Sequence, residues 1–243
     1  NTLVGNERNI VTDIAGTTRD SVHTHFNLYG FDFELIDTAG LRRKKQIEDQ
    51  LEFYSTVRTI RSIEQSDVCL LLIDAQNGME RQDQAIFWQV VNSYRGVVIL
   101  VNKWDLIEKD HQTMKTFEAA IRERIAPFTD VPILFTSNLT KQRILKAFEE
   151  AMEVYENRNY KIPTSQLNDF LLPIIQNQPP PMYKGKMVRI KYVTQIKSQT
   201  PTFAFYCNLP QYIKDPYKRF LENHIRSEWD LSGVTIRLFF REK

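Results

Sequence analysis

Three short apolar runs, Val68–Ile73, Val97–Val101 and Val131–Phe135, constrain the fold of this chain more than any other feature. Strands exposed on one face alternate apolar and polar residues, whereas strands covered on both faces read as unbroken apolar runs, as in parallel sheets. Amphipathic stretches fill the intervals. Leu51–Gln65 carries Phe53, Val57 and Ile60 on one face, and Gln82–Tyr94, Gln112–Ile125 and Lys141–Tyr155 follow. Strand and helix in alternation imply an α/β fold with a doubly wound, mostly parallel sheet, which binds ligands at the carboxyl ends of its strands. Upstream, Val22, Thr24, Phe26 and Leu28 alternate with His23, His25 and Asn27, and Phe31, Phe33 and Leu35 alternate with Asp32 and Glu34. Two period-2 runs across Tyr29-Gly30 predict an antiparallel hairpin.

The pattern changes near Asn159. Pro163 breaks the chain, Ser165 is placed to cap a helix over Gln166–Asn177, and Pro179-Pro180-Pro181 ends it. Strands over Lys186–Ile196 and Thr200–Asn208, a helix over Asp215–Trp229 and a strand over Thr235–Arg241 complete an αββαβ order. The expected domains are 1–159 and 160–243, the second a small α+β unit. Charge divides at the same place. Residues 1–159 hold 19 Lys+Arg against 24 Asp+Glu, a net of −5, and residues 160–243 hold 13 against 6, a net of +7. Such asymmetry suggests a nucleic-acid-facing tail.

The longest apolar runs have five or six residues, and a helical membrane span needs about 20. No signal-peptide pattern opens the chain. Cys69 and Cys207, the two cysteines, both lie in apolar stretches without metal-ligand spacing. A reducing cytoplasmic setting with two core thiols is expected. Asn1-Thr2-Leu3-Val4-Gly5 reads like a helix end with Gly at C′, which suggests a preceding segment.

Phe31–Ile36 ends in Asp37-Thr38-Ala39-Gly40. An Asp at a strand end reaches a hydrated Mg²⁺, and a neighbouring Gly lets its backbone N–H approach a phosphate. An ordinary strand-to-loop turn explains these four residues equally well. Val97–Val101 ends in Asn102-Lys103-Trp104-Asp105, 65 residues later. There a carboxylate can accept both N–H donors of a guanine edge, the Lys stem can cover the ring and Asn can tie neighbouring loops together. Both motifs ending strands in this order is what makes the pair specific. Ala15-Gly16-Thr17-Thr18-Arg19-Asp20 offers Thr18 as a Mg²⁺ ligand in a nucleotide-sensing loop, although a Thr-rich turn accounts for it alone. After the third apolar run, Ser137 and Asn138 can present backbone N–H groups to a guanine oxygen, and a plain loop is an equal alternative. His23 and His25 share a strand face with no third ligand in sight, which favours an exposed face over a metal site. Arg42-Arg43-Lys44-Lys45 reads equally as a solvated run or as a contact segment.

The order GTTRD, DTAG, NKWD and SNL resembles the motifs of a translation-factor-related GTPase. The chain is most similar to the Der (EngA) family, specifically its second GTPase domain followed by its KH-like domain. Ile10–Asp20 looks like the family's switch I, and Asp37–Arg43 with Leu51–Ser55 looks like switch II and its helix. Gly185–Gln195, Thr200–Phe205 and Tyr217–Ile225 resemble the KH-like domain. The resemblance implies a P-loop GTPase-type fold, binding of GTP and GDP with Mg²⁺, and hydrolysis of GTP to GDP and phosphate. It assigns Asp37, Thr38, Ala39, Gly40, Asn102, Lys103, Asp105, Ser137 and Asn138 to the nucleotide. Thr18 becomes the Mg²⁺ ligand, Asp37 its partner through water, and Gly40 the γ-phosphate sensor. Thr18 and Gly40 are thus the expected catalytic positions.

The family's P-loop, GxxxxGK[ST], falls upstream of Asn1, and the family's first GTPase domain precedes it. Around Asn138 the family usually has Ala, and Lys141-Gln142-Arg143 replaces a Gly-rich stretch. Leu41 stands where many GTPases carry the water-orienting Gln. This implies the hydrophobic-substituted class, in which K⁺ near switch I supplies positive charge. The implied task is assembly of the large ribosomal subunit, with its rRNA and the first GTPase domain as partners. The tail lacks the GxxG loop of standard KH domains. Lys184, Lys186, Arg189, Lys191, Lys197, Lys218, Arg219 and Arg226 are its candidate RNA contacts, with a basic but inert packing surface as the alternative. Two other functions compete: an RNA-binding scaffold with a non-hydrolysing nucleotide site, and an Era-like GTPase acting on small-subunit RNA.

Overall fold

The computed structural model describes residues 22–37 and 59–242, and for Val22 and Asp37 the backbone only. Strands β1 (Val22–Leu28) and β2 (Phe31–Asp37) pair antiparallel from Val22↔Asp37 to Leu28↔Phe31. Tyr29 and Gly30 have φ of 57° and 83°, the two positive values of a turn whose twist matches the strands it joins. Alternation sorts the faces. Phe26 and Phe33 stack at 5.0 Å, and each ring lies 5.0 Å from Phe148. On the other face His23 Nδ1 meets Glu34 Oε1 at 2.9 Å and His25 Nε2 meets Asp32 Oδ1 at 2.6 Å.

Strands β3 (Val68–Asp74), β4 (Gly96–Asn102) and β5 (Ile133–Phe135) form a parallel sheet in the order β3-β4-β5. The third strand is shorter than Val131–Phe135 because Pro132 has no N–H to donate; its carbonyl accepts from Ile99 N at 2.9 Å. Helices α1 (Arg81–Asn92) and α2 (Thr113–Ile125) supply Phe87, Val90, Ile121 and Ile125 to the core around β4. Residues 96–101 are all buried, as their unbroken apolar character requires. At the start of α1, Asp83 Oδ2 accepts the Glu80 N–H at 2.9 Å, a reciprocal cap. Helix α3 (Ile144–Asn159) follows β5, and residues 59–65 are helical.

The chain divides into compact units at Met152/Glu153. In the second unit, α4 (Thr164–Asn177) and α5 (Asp215–Glu228) pack on a sheet ordered β6 (Ile190–Ile196), β7 (Thr202–Cys207), β8 (Arg237–Glu242). Pairing is antiparallel for β6/β7 and parallel for β7/β8, and the αββαβ order is as read from the sequence. Leu167, Leu171 and Ile175, then Tyr217, Leu221 and Ile225, recur at four-residue steps and meet Phe203, Phe205 and Cys207. Cys207 is fully buried, whereas Cys69 is half-buried at the edge of the first core.

Two local expectations change. Ser165 is not the cap of α4, because the helix begins at Thr164 with Pro163 at the N-cap and no side-chain capping bond. The strand expected from Lys186 starts at Ile190. Before it, Tyr183–Lys186 closes a tight turn with backbone bonds of 3.0 and 2.9 Å, using positive φ at Lys184 (48°) and Gly185 (73°).

The Tyr217 hydroxyl donates to Gln178 O at 2.8 Å, and burial pushes its pKa up to about 12 from 10.0. The unfolded chain therefore loses this proton first as pH rises. The stability from Tyr217 is complete below pH 10 and is lost as pH climbs towards 12. Unfolding titrations from pH 9 to 12 are expected to show a loss of about 2 kcal/mol in the wild type that Tyr217→Phe lacks.

Candidate functional site

Strand β4 delivers Asn102 to its carboxyl end, beside Asp74 at the end of β3 in the Asp74↔Asn102 register. Lys103 then takes the left-handed conformation, φ 61° and ψ 31°, which turns the chain sharply into a 3₁₀ turn at Trp104–Leu106. Trp104 anchors that turn. It is 3% exposed, its ring lies 4.4 Å from Phe135 and 5.2 Å from Phe117, and its backbone N–H donates to Thr136 O at 3.1 Å. A buried indole between two exposed-end residues fixes where Lys103 and Asp105 emerge. Asp105 is partly exposed, open to a ligand from solvent.

Asn102 ties the neighbouring loop, as expected of it. Its Oδ1 accepts the Asn138 N–H at 3.2 Å. Ser137 does not offer its groups outwards: it is fully buried, its N–H donates to Gln142 O at 3.3 Å, and its hydroxyl accepts from Thr140 N at 3.2 Å. The N–H groups of Ser137 and Asn138, expected at a guanine oxygen, thus both have partners within the protein. Positive φ at Lys141 and Arg143 (57° each) lets this loop fold back to make those bonds without its Gly-rich stretch.

Asp74 is a residue that sequence reasoning missed. Its side chain is 6% exposed; Oδ2 accepts from Lys103 Nζ at 2.6 Å and Oδ1 accepts from Gln76 N at 3.0 Å. The pair is 29 residues apart in sequence. The available signal was an acid ending an apolar strand, the feature used for Asp37. Because Lys103 is 45% exposed, the pair orients the ammonium more than it stabilises the fold. Thr18, Thr38, Ala39 and Gly40 lie outside the described residues, as do Leu41 and Arg42–Lys45. Asp37 ends β2, paired with Val22. The residues present suit a guanine base; Asn102, Lys103 and Asp105 come together, while the Mg²⁺ positions are not among the described side chains.

The basic candidates separate into three groups. Lys184, Lys186, Arg189, Lys191, Lys197 and Arg219 are exposed. Lys218 pairs with Asp215 at 2.8 Å. Arg226 is turned inwards: Nε donates to Glu222 Oε1 at 3.2 Å, Nη1 to Leu231 O at 3.1 Å and Nη2 to Val234 O at 2.8 Å. With 12% of its side chain exposed, it braces the loop before β8. Among the described residues, no cluster of His, Cys, Asp and Glu suits a metal ion, and no helix is long and apolar enough to cross a membrane.

Residues 1–103 match the family described as "50S ribosome-binding GTPase", and residues 161–241 match "KH-domain-like of EngA bacterial GTPase enzymes, C-terminal". The chain is 58% identical over 243 residues to GTPase Der of Christiangramia forsetii, covering 100% of this chain and 56% of that protein. It is 58% identical over 245 residues to GTPase Der of Bacteroides fragilis, with the same coverage. The chain thus spans about half the length of the curated relatives it matches. A solved structure of Era with MgGDPNP and a 16S ribosomal RNA fragment has a TM-score of 0.49 at 18% identity, covering 100% of this chain and 87% of that one.

Proposed function

We propose that the chain is a member of the Der (EngA) family of GTPases, a GTP-binding and GTP-hydrolysing switch acting in assembly of the large ribosomal subunit. The observation that carries the nucleotide reading is the Asn102–Lys103–Trp104–Asp105 turn, pinned by a buried indole with its carboxylate open to solvent. Asp105 accepts the two N–H donors of guanine, and Lys103, steadied by Asp74, lies along the base. Thr18 and Asp37 hold Mg²⁺, the latter through water, Gly40 senses the γ-phosphate, and Thr38 and Ala39 line the phosphates. Mg²⁺ supplies charge neutralisation at the phosphates when bound. The protein is cytoplasmic, and the GTPase unit is the second of two in a longer protein. The exposed lysines and arginines of residues 160–243 face rRNA.

Leu41 has no group to orient water, and K⁺, if bound, would supply positive charge there. Hydrolysis by the intact protein is expected to run at least several-fold faster in potassium than in sodium at equal ionic strength; equal rates sink the K⁺ assignment. Absence of hydrolysis in both, with nucleotide still bound, favours the scaffold reading. Asp74→Asn is expected to weaken GDP binding about three- to tenfold, because Lys103 loses a charged partner while the backbone bond to Gln76 persists. Titration with fluorescent GDP measures this, with thermal unfolding as the control for folding.

A further inference from the structure

Two segments far apart in sequence meet on one tyrosine ring of the second unit. Tyr183 opens the tight Tyr183–Lys186 turn, and Tyr212 closes a 3₁₀ turn at Pro210–Tyr212 that leads into α5. Their rings stack at 4.5 Å and 23°. Lys184 Nζ lies 5.6 Å and Lys214 Nζ 5.2 Å from the centre of the Tyr183 ring. Both lysines are exposed, as are Gly185 and Lys186 in the turn. Met182 and Met187, on either side of it, are 61% and 50% exposed, so the patch is open to solvent. The face of an aromatic ring attracts an ammonium group, but the two like charges that it gathers repel each other. No carboxylate offsets them. Among the described residues Lys184, Lys186 and Lys214 make no ion pair, and Asp215, next in the chain, gives its carboxylate to Lys218 at 2.8 Å. Ammonium groups gathered on a fixed aromatic pair without a counter-charge suit an anion from outside the chain.

We infer that Tyr183, Lys184, Lys186, Tyr212 and Lys214 form a docking patch for the phosphate backbone of RNA, a site that rests on the RNA reading above and locates it. The side chains select phosphate. Lys is a compact point charge that suits a phosphate oxygen, whereas the carboxylates of an acidic protein are matched best by the planar fork of Arg; the Tyr183 ring gathers lysines. The unit is basic, +7 over residues 160–243. The patch does not read bases: Tyr212 and the lysines occupy the Tyr183 ring, and the unit's only glycines, Gly185 and Gly233, provide no GxxG clamp. Single strands and duplexes therefore bind alike, through charge and with little preference for sequence. The tyrosine pair holds the ammonium groups in place before RNA arrives, which lowers the ordering cost of binding. Lys214 is not among the basic residues that the sequence singles out, because the ring that holds it comes from a distant segment.

The test measures binding of the intact protein to a short labelled single-stranded RNA and to the duplex of the same sequence over a range of salt concentrations. Lys184→Ala and Lys214→Ala are each expected to weaken both RNAs about fivefold and to lower the salt slope by about 1. The double variant weakens both about 25-fold. Tyr183→Leu removes the ring and keeps every charge; it is expected to weaken both RNAs about threefold with the salt slope unchanged. Tyr183→Phe binds like the wild type. Lys197→Ala, at the other end of β6 from the turn, stays within about twofold of wild type. If the double lysine variant binds like wild type, or Lys197→Ala costs as much as Lys214→Ala, the patch is not the site although the RNA reading stands. Binding of neither RNA by the wild type at low salt overturns both. Poly-glutamate that displaces labelled RNA as well as unlabelled RNA does, at equal charge, gives the patch to an acidic protein and overturns the assignment. A folded Tyr183→Leu variant with wild-type affinity overturns the role of the ring. Should that variant misfold, the exposed lysine variants decide.

Discussion

Asp105→Asn is expected to lower affinity for GTP at least about 100-fold and to raise affinity for XTP by a comparable factor. A carboxylate accepts from two guanine N–H groups, and hydrogen bonds to a charged group are each worth about 1.5–3 kcal/mol, where 1.4 kcal/mol is a factor of ten. An amide accepts one of these at most and turns its NH₂ towards the other donor. Against xanthine, whose 2-position is an oxygen, the same NH₂ finds an acceptor. The substitution leaves the turn in place, since Trp104, held between Phe117 and Phe135, positions it from below. Competition of GTP, XTP and ITP against a fluorescent nucleotide reads the result. An unchanged order of preference rules out Asp105 as the base-reading group.

Arg226→Ala is expected to cost about 2–4 kcal/mol of unfolding free energy and to leave RNA affinity within about twofold of wild type once the protein is folded. The side chain holds two carbonyls, Leu231 O and Val234 O, in the segment that leads α5 into β8. Its removal leaves those acceptors and Glu222 without their partner. Urea unfolding measures the loss. Lys184→Ala and Lys186→Ala are the contrasting pair: both residues are exposed, so stability should hardly change, while each lowers RNA affinity and reduces the salt slope by about 1. A destabilised Arg226 variant with normal RNA binding separates a brace from a contact, two roles that look identical in a count of basic residues.

Local pattern was a good guide wherever a residue's neighbours in sequence are also its neighbours in space. The hairpin register, the apolar run of β4 and the four-residue spacing in α4 and α5 follow from periodicity alone. Helix and strand ends shifted where a turn or cap intervened, as at Ser165 and Lys186. In the site, Asn102, Lys103 and Asp105 were legible because one turn contains them. The partners of Ser137, Gln142 and Thr140, were not legible because they depend on how the loop folds back.

The sequence by itself determined the α/β order, the change of charge near residue 160 and the strand-end motifs that suit guanine, since these are properties of short segments. Tertiary structure alone decided that Asp74 holds Lys103, that Arg226 points inwards and that Tyr192, Tyr206 and Phe239 share one face of the sheet. The first and last join residues far apart in the chain, whereas Arg226 folds back on carbonyls five and eight residues further on, which no periodicity foretells. Alternation says that a strand has two faces, but only the packing of helices on one of them says which face is core.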